Sequence, residues 1–229
     1  MAVDAHFRGD GDGSRFTRWL ADLKQTGSNI LVTGEVPDGV SAVASRKLFG
    51  WDERRFRVLA LTDRSITDAH ARLPEDASFD DSTTWVIDQR RGERSVPATA
   101  TGVASDLGTP ATDDARDLCE EVCAAVDFYE QRADGLDPAE LRVGVDSLFP
   151  LVQEDRSATE RVLGTLGDAV GDVQGMAHYH LRVPDDDEVV DDLMESFDAR
   201  IELRKLPNQS AQQRWHAPDI DATTSWMEL

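Results

Sequence analysis

Short apolar runs recur along this chain: NILVT (29–33), FRVLALT (56–62), TTWVIDQ (83–89), LRVGV (141–145) and MAHYHLRV (176–183). Runs of that length, poor in charge and rich in Val, Ile and Leu, predict strands, with NILVT a short buried one. Between them the apolar residues fall at helical spacing. Phe16, Trp19, Leu20 and Leu23 form one stripe behind a candidate cap at Ser14. SAVASRKLF (41–49) predicts a two-turn helix stopped by Gly50. Leu118, Val122, Ala125, Val126 and Tyr129 share a face, as do Val162, Leu163, Leu166, Val170 and Val173 after SATE (157–160), a capping-box sequence. Val189, Val190, Leu193, Met194 and Phe197 follow a run of acids suited to a helix N-terminus. Strands alternating with helices predict an α/β fold, a mainly parallel sheet with helices on both faces. ARIELRKL and QQRWHA, on either side of PNQS, add a closing β-hairpin.

A length of 229 residues suits one domain, expected over 14–229 with a loose Gly- and Asp-rich stretch at 1–13. Residues 92–112 are rich in Ala, Thr, Ser, Gly and Pro and predict a long loop, of the kind used as a lid or binding loop. Apolar runs stay far below the ~18 residues that cross a bilayer, so the expected location is cytoplasmic. Asp plus Glu number 45 against 24 Lys plus Arg, a net charge of −21, with lysine only at 24, 47 and 205. Such a surface repels itself in dilute buffer and is screened in ~1 M salt. With no basic stripe, nucleic acid is not an expected partner. The two cysteines, Cys119 and Cys123, read as small core residues on one helix rather than half of a metal site.

Chemistry concentrates in GEVPDGVS (34–41), which lies between a strand and a helix. A phosphate-binding loop reads G-x-x-x-x-G-K-[ST]. Gly34, Gly39 and Ser41 hold that spacing, but Val40 stands where the lysine belongs. Pro37 removes a backbone N–H from the cradle. Glu35 and Asp38 place carboxylates where phosphates would lie. Downstream, LRVGVDSL brings Asp146 to the end of an apolar strand, where such ATPases carry an acid that helps hold Mg²⁺.

This order of elements, with the strand-borne DSL and the ending FDARIELRKL…QQRW, resembles the RecA/KaiC branch of P-loop ATPases from about Gly27 to Trp215. LKQTGSNILVTGEVPDGVSAVASRKLFG looks like an uncharacterised haloarchaeal group known as HTR-like proteins. The resemblance implies a sheet with NILVT central, flanked by the strands of His178 and Ile201, and the Asp146 strand one place further out. It makes Asp63 the candidate second-strand acid, with Arg64 beside it. With the loop so altered, the expectation is a degenerate P-loop with no catalytic residue, no cofactor and no metal. The function expected is regulation or interaction with a protein partner, itself or another. The alternative is a weak Mg-ATP switch using Ser41 and Asp146, with Arg46 or Lys47 standing in for the lysine.

His178 and His180 face one way on a strand and could bind zinc with Asp185 or His216; the expectation is instead an exposed polar strand face. Ser147 and Ser41 lack a G-x-S-x-G elbow and are not expected nucleophiles. Tryptophans at 19, 51, 85, 215 and 226 read as packing residues.

Overall fold

The computed structural model describes residues 10–51, 55–77, 81–89, 93–95 and 114–229. Helix α1 (Asp10–Thr26) leads into β1 (Ser28–Thr33), and the glycine loop leads into α2 (Asp38–Phe49). Strand β2 (Phe56–Leu61), a 3-10 turn (Ile66–Ala71), β3 (Thr84–Asp88) and the short β4 (Glu93–Ser95) follow. Next come α3 (Asp114–Ala133), β5 (Leu141–Val145), α4 (Phe149–Glu154), α5 (Arg156–Asp172) and β6 (Met176–Leu181). The chain closes with α6 (Glu188–Leu193), β7 (Ala199–Arg204), β8 (Gln212–Ala217), β9 (Ala222–Thr223) and β10 (Met227–Glu228).

The sheet order is β10-β8-β7-β1-β6-β5-β2-β3-β4, with β9 on β8. From β7 to β3 every pairing is parallel. The ends are antiparallel: β4 on β3, and the β7–β8 hairpin extended by β9 and β10. The expected order is present, with β1 between β6 and β7 and β5 next to β6. Strands β1, β2, β3, β5 and β6 are buried along their whole length because helices cover both faces. On one face, Phe16, Trp19 and Leu23 of α1 meet Ile30, Val32, Ile201 and Trp215. On the other, α3 and α5 lay Leu118, Val122, Leu163 and Leu166 over Leu31, Val58, Val143 and Tyr179. Strand β7 alternates buried and half-buried residues, so its Arg200, Glu202 and Arg204 face is only partly covered.

Several local expectations need correction. Helix α1 begins at Asp10, ahead of Ser14. Helix α5 is capped not by Ser157 but by Asp155, whose carboxylate accepts from the Ala158 N–H at 2.9 Å. An aspartate cap places a full charge against the helix dipole. His178 and His180 are buried, at 2% and 1% exposure, because β6 is an interior strand roofed by α2. Trp215 packs edge-on to Trp19, with ring centroids 6.3 Å apart, while Trp226 lies under the guanidinium groups of Arg204 and Arg214. Cys119 and Cys123 are half-buried against the α3-side core, their sulfurs 4.0 Å apart. Of the expected 92–112 loop, residues 93–95 form β4 and the remainder lies outside the described residues. Among the described residues no helix is long and apolar enough to cross a membrane.

Candidate functional site

Strand β1 delivers the glycine loop to the carboxyl end of the parallel sheet, the place where open α/β folds bind ligands. Gly34 has φ +112°, and its N–H donates to the Val183 carbonyl at 3.0 Å. A Cβ there would lie 2.1 Å from the Leu203 carbonyl oxygen of β7. The neighbouring strand therefore accounts for this glycine without a ligand. Gly39 differs, since a Cβ added to it would meet nothing within 4 Å. Pro37 is the N-cap of α2, and its carbonyl accepts from the Val40 N–H at 2.8 Å. Val40 packs against the α1-side core, which gives an apolar side chain a place that a lysine ammonium would not fill.

The carboxylate of Asp38 sits at the N-terminal end of α2, and three arginines converge on its Oδ1 atom. Arg72 Nη2 donates at 2.5 Å, Arg64 Nε at 3.2 Å and Arg182 Nη1 at 3.3 Å. Arg182 Nη2 also donates to Asp63 Oδ2 at 2.6 Å. The cluster joins the first turn of α2, the segment after β2, and the end of β6. Arg72 is 1% exposed, and its Nε and Nη1 have no hydrogen-bond partner. Neither has the buried Ser41 hydroxyl. Arg46, considered as a substitute for the missing lysine, donates instead to the Ala71 carbonyl at 2.8 Å, near the other end of α2.

Asp146 lies at the end of β5 and faces the segment after β2. Its Oδ1 accepts from the Thr62 N–H at 2.7 Å and the Thr62 hydroxyl at 3.0 Å, and Oδ2 from the Arg64 N–H at 2.9 Å. Burial pushes its carboxyl above the usual carboxylate range, against the pull of those donors. The acid thus shapes the backbone that presents Asp63 and Arg64. Ser147 Oγ accepts from the Phe149 N–H at 3.3 Å, at the start of α4.

Behind the loop, His178 Nε2 and Ser45 Oγ are 2.8 Å apart, and the ring stands edge-on to Phe49. Burial holds this imidazole neutral, lowering its pKa to about 3. His180 is lowered too, by burial first and then by His178, Arg72 and Arg182. The structure separates these histidines from the two residues considered as their zinc partners. Asp185 and His216 meet Glu202 instead, with His216 Nε2 and Glu202 Oε2 3.1 Å apart. Arg200 reaches Asp185 at 3.2 Å and Arg214 pairs with Glu202, so each carboxylate has a guanidinium beside it.

Of the site residues expected from sequence, Gly34, Gly39, Ser41, Asp63, Arg64 and Asp146 belong to one end of the sheet. Arg72 and Arg182 were not foreseen. Each approaches Asp38 from a distant part of the chain, 34 and 144 residues away. A lone arginine in a loop or at a strand end gives no local sign of that role.

The fold is similar to that of a KaiC-like protein from the hyperthermophilic archaeon Pyrococcus horikoshii, with a TM-score of 0.53 at 13% identity over 84% of this chain and 80% of that one. None of the curated proteins compared with the chain matches it. A family model described as a family of unknown function matches residues 27–203, from the residue before β1 to the penultimate residue of β7. With that match spanning the sheet core and the whole glycine-loop site, the chain belongs to the DUF7504 family and has a RecA/KaiC-like α/β fold.

Proposed function

We propose that this chain is a pseudo-ATPase: a RecA/KaiC-like domain without nucleotide hydrolysis, acting as a regulatory or protein-interaction module of the HTR-like group in a haloarchaeal cytoplasm. The observation carrying the proposal is the Asp38 carboxylate, held by Arg64, Arg72 and Arg182 at the N-terminus of α2. A nucleotide phosphate bound at a helix N-terminus would have to replace it. Val40 supplies no charge, and losing one charged hydrogen bond costs about 1.5–3 kcal/mol. Pro37 offers no N–H, and Asp146 is already engaged by backbone donors. Together these losses exceed the ~4 kcal/mol between a micromolar and a millimolar site.

Calorimetry in molar KCl is the test. Mg-ATP should bind no better than millimolar, with no hydrolysis above background, and Val40→Lys should recover little while Asp38 keeps its arginines. The alternative, a weak Mg-ATP switch, draws on the buried Ser41 hydroxyl that lacks a partner. Micromolar binding lost on Ser41→Ala or Asp146→Ala would establish that alternative.

The haloarchaeal assignment rests on the charge of −21 and the scarcity of lysine. Thermal stability should rise steeply between about 0.2 and 2 M KCl, beyond the range in which simple screening is already short-ranged. A melting temperature flat across that range would remove the assignment. Partner identity is addressed by pulldown from a lysate kept in molar salt.

A further inference from the structure

We propose that Cys119 and Cys123 of α3 form a two-coordinate site for a soft monovalent cation of the Cu(I) class. The pair lies on the face of the sheet that α3 and α5 cover, opposite α1, and shares no residue with the glycine loop. The proposal goes beyond the regulatory role and does not rest on the loss of nucleotide hydrolysis.

Geometry is the first argument. Four residues apart on one helix, the two free thiols lie side by side, with their sulfurs 4.0 Å apart. Positions so spaced in a helix hold their Cβ atoms about 5–6 Å apart, whereas a disulfide needs about 3.5–4.5 Å. A continuous α3 from Asp114 to Ala133 thus resists the bond that would close the pair. An ion between the sulfurs asks less of the helix. Two metal–thiolate bonds of about 2.3 Å on opposite sides of one ion separate the sulfurs by about 4.6 Å. Small rotations of the two side chains supply the difference from 4.0 Å.

Ligand number is the second argument, and it overturns the expectation that these cysteines serve packing alone. Thiolates select soft partners: monovalent copper, zinc and iron–sulfur clusters. Structural zinc and iron–sulfur clusters take four protein ligands. Among the described residues, no His, Asp or Glu ligand atom joins the pair within 4.8 Å. Monovalent copper is satisfied by two thiolates in line, so it is the member of this group that the pair fits.

Access and charge are the third. Both cysteines are half-buried, and Cys119 lines a cleft of about 330 Å³ between α3 and α5, with Ala158 and Val162 on the α5 side. Arg116 and Arg161 line the same cleft, and Arg116 also pairs with Glu120 at 2.8 Å. Binding breaks two S–H bonds and forms two S–Cu bonds; the two protons pass to solvent and copper keeps its oxidation state. The product carries one net negative charge, which the guanidinium groups offset. The hydrogen bond between the sulfurs raises the Cys119 thiol and lowers that of Cys123, so Cys123 gives up its proton first.

The test is competition for Cu(I) between the full chain and a colorimetric Cu(I) chelator. It is run without oxygen in molar potassium acetate, because chloride ligates this ion. Wild type should hold one Cu(I) per chain. Cys119→Ser and Cys123→Ser should each weaken binding by about a hundredfold or more, beyond the cost of losing a hydrogen bond that supports a ligand. Alanine at either position should give the same loss, and melting temperatures of the metal-free variants check that each is folded. X-ray absorption of the loaded chain should show two sulfur neighbours, and gel filtration an unchanged mass. Cu(I) not retained by wild type, or retained equally by a folded single variant, would overturn the proposal. Copper bridging two chains, or bound by three or more ligands, would overturn it as well. Mg-ATP binding bears on the glycine loop alone, so failure of this site and failure of the pseudo-ATPase reading are read separately.

Discussion

Gly34→Ala should lower the melting temperature by roughly 4–24 °C, whereas Gly39→Ala should leave it unchanged or raise it slightly. At Gly34 the backbone has φ +112°, where an L-residue is strained by about 1–3 kcal/mol. The new methyl would also stand 2.1 Å from the Leu203 carbonyl oxygen. That atom belongs to the backbone of β7, which pairs with β1 from Ile30 to Thr33, so relief requires a shift of the strand. Overpacking of this kind costs about 1–3 kcal/mol more. The sum is a large part of the 5–15 kcal/mol that holds a domain folded, and each kcal/mol is worth about 2–4 °C at this size. Gly39 sits in the first turn of α2 with open space over it, and alanine in a helix is better than glycine by up to about 1 kcal/mol. Thermal unfolding of both variants in molar KCl checks the contrast. A Gly34→Ala protein melting with wild type would mean that the β1–β7 contact is not what demands glycine.

Mild acid should lower the stability of the protein, through its buried histidines. His178 is neutral in the fold, with a pKa lowered to about 3 from an ordinary 6.5 by burial first and then by Arg142 and Arg72. The unfolded chain takes up a proton at its ordinary pKa while the folded chain refuses it. Stability from this group is therefore full above pH 6.5 and lost as pH falls toward 3. Between pH 7 and 5 the loss amounts to about 2 kcal/mol for His178 alone. His180, lowered in the same direction, adds to it. His216, lowered by burial and Arg200 against the pull of Glu202, acts with the same sign. Asp146, whose carboxyl burial raises, acts with the opposite sign and opposes the trend. Denaturant melts at pH 7, 6 and 5 in constant molar salt read the slope. His178→Asn, which keeps a polar atom for Ser45 and cannot titrate, should flatten it. An unchanged slope in that variant would assign the acid sensitivity elsewhere.

These two predictions sit on different sides of what the sequence makes readable. Apolar spacing is a local property, so the order of strands and helices could be read directly: NILVT as a buried strand, the α3 and α5 stripes, the closing hairpin. The glycine loop was legible for the same reason, since its spacing and the Val40 substitution lie within eight residues. Where the pattern was mixed, local reading failed. ITDAHARL has no clear period, and the 3-10 turn that positions Arg72 went unseen. His178 and His180 alternate with apolar residues as an exposed face would, and only the neighbours β1 and β5 and the roof of α2 reveal them as interior.

The sequence by itself determined the kind of sheet, the place of the loop within it and the loss of the lysine. Those follow from chain connectivity and side-chain identity, which need no partners. Only the tertiary structure decided what took over at the loop. Asp38 and Arg72 lie 34 residues apart, Asp38 and Arg182 144 apart, and Thr62 and Asp146 84 apart. Charges so distant in the chain act on one another only after the sheet has closed, because a Coulomb interaction in water fades within a Debye length.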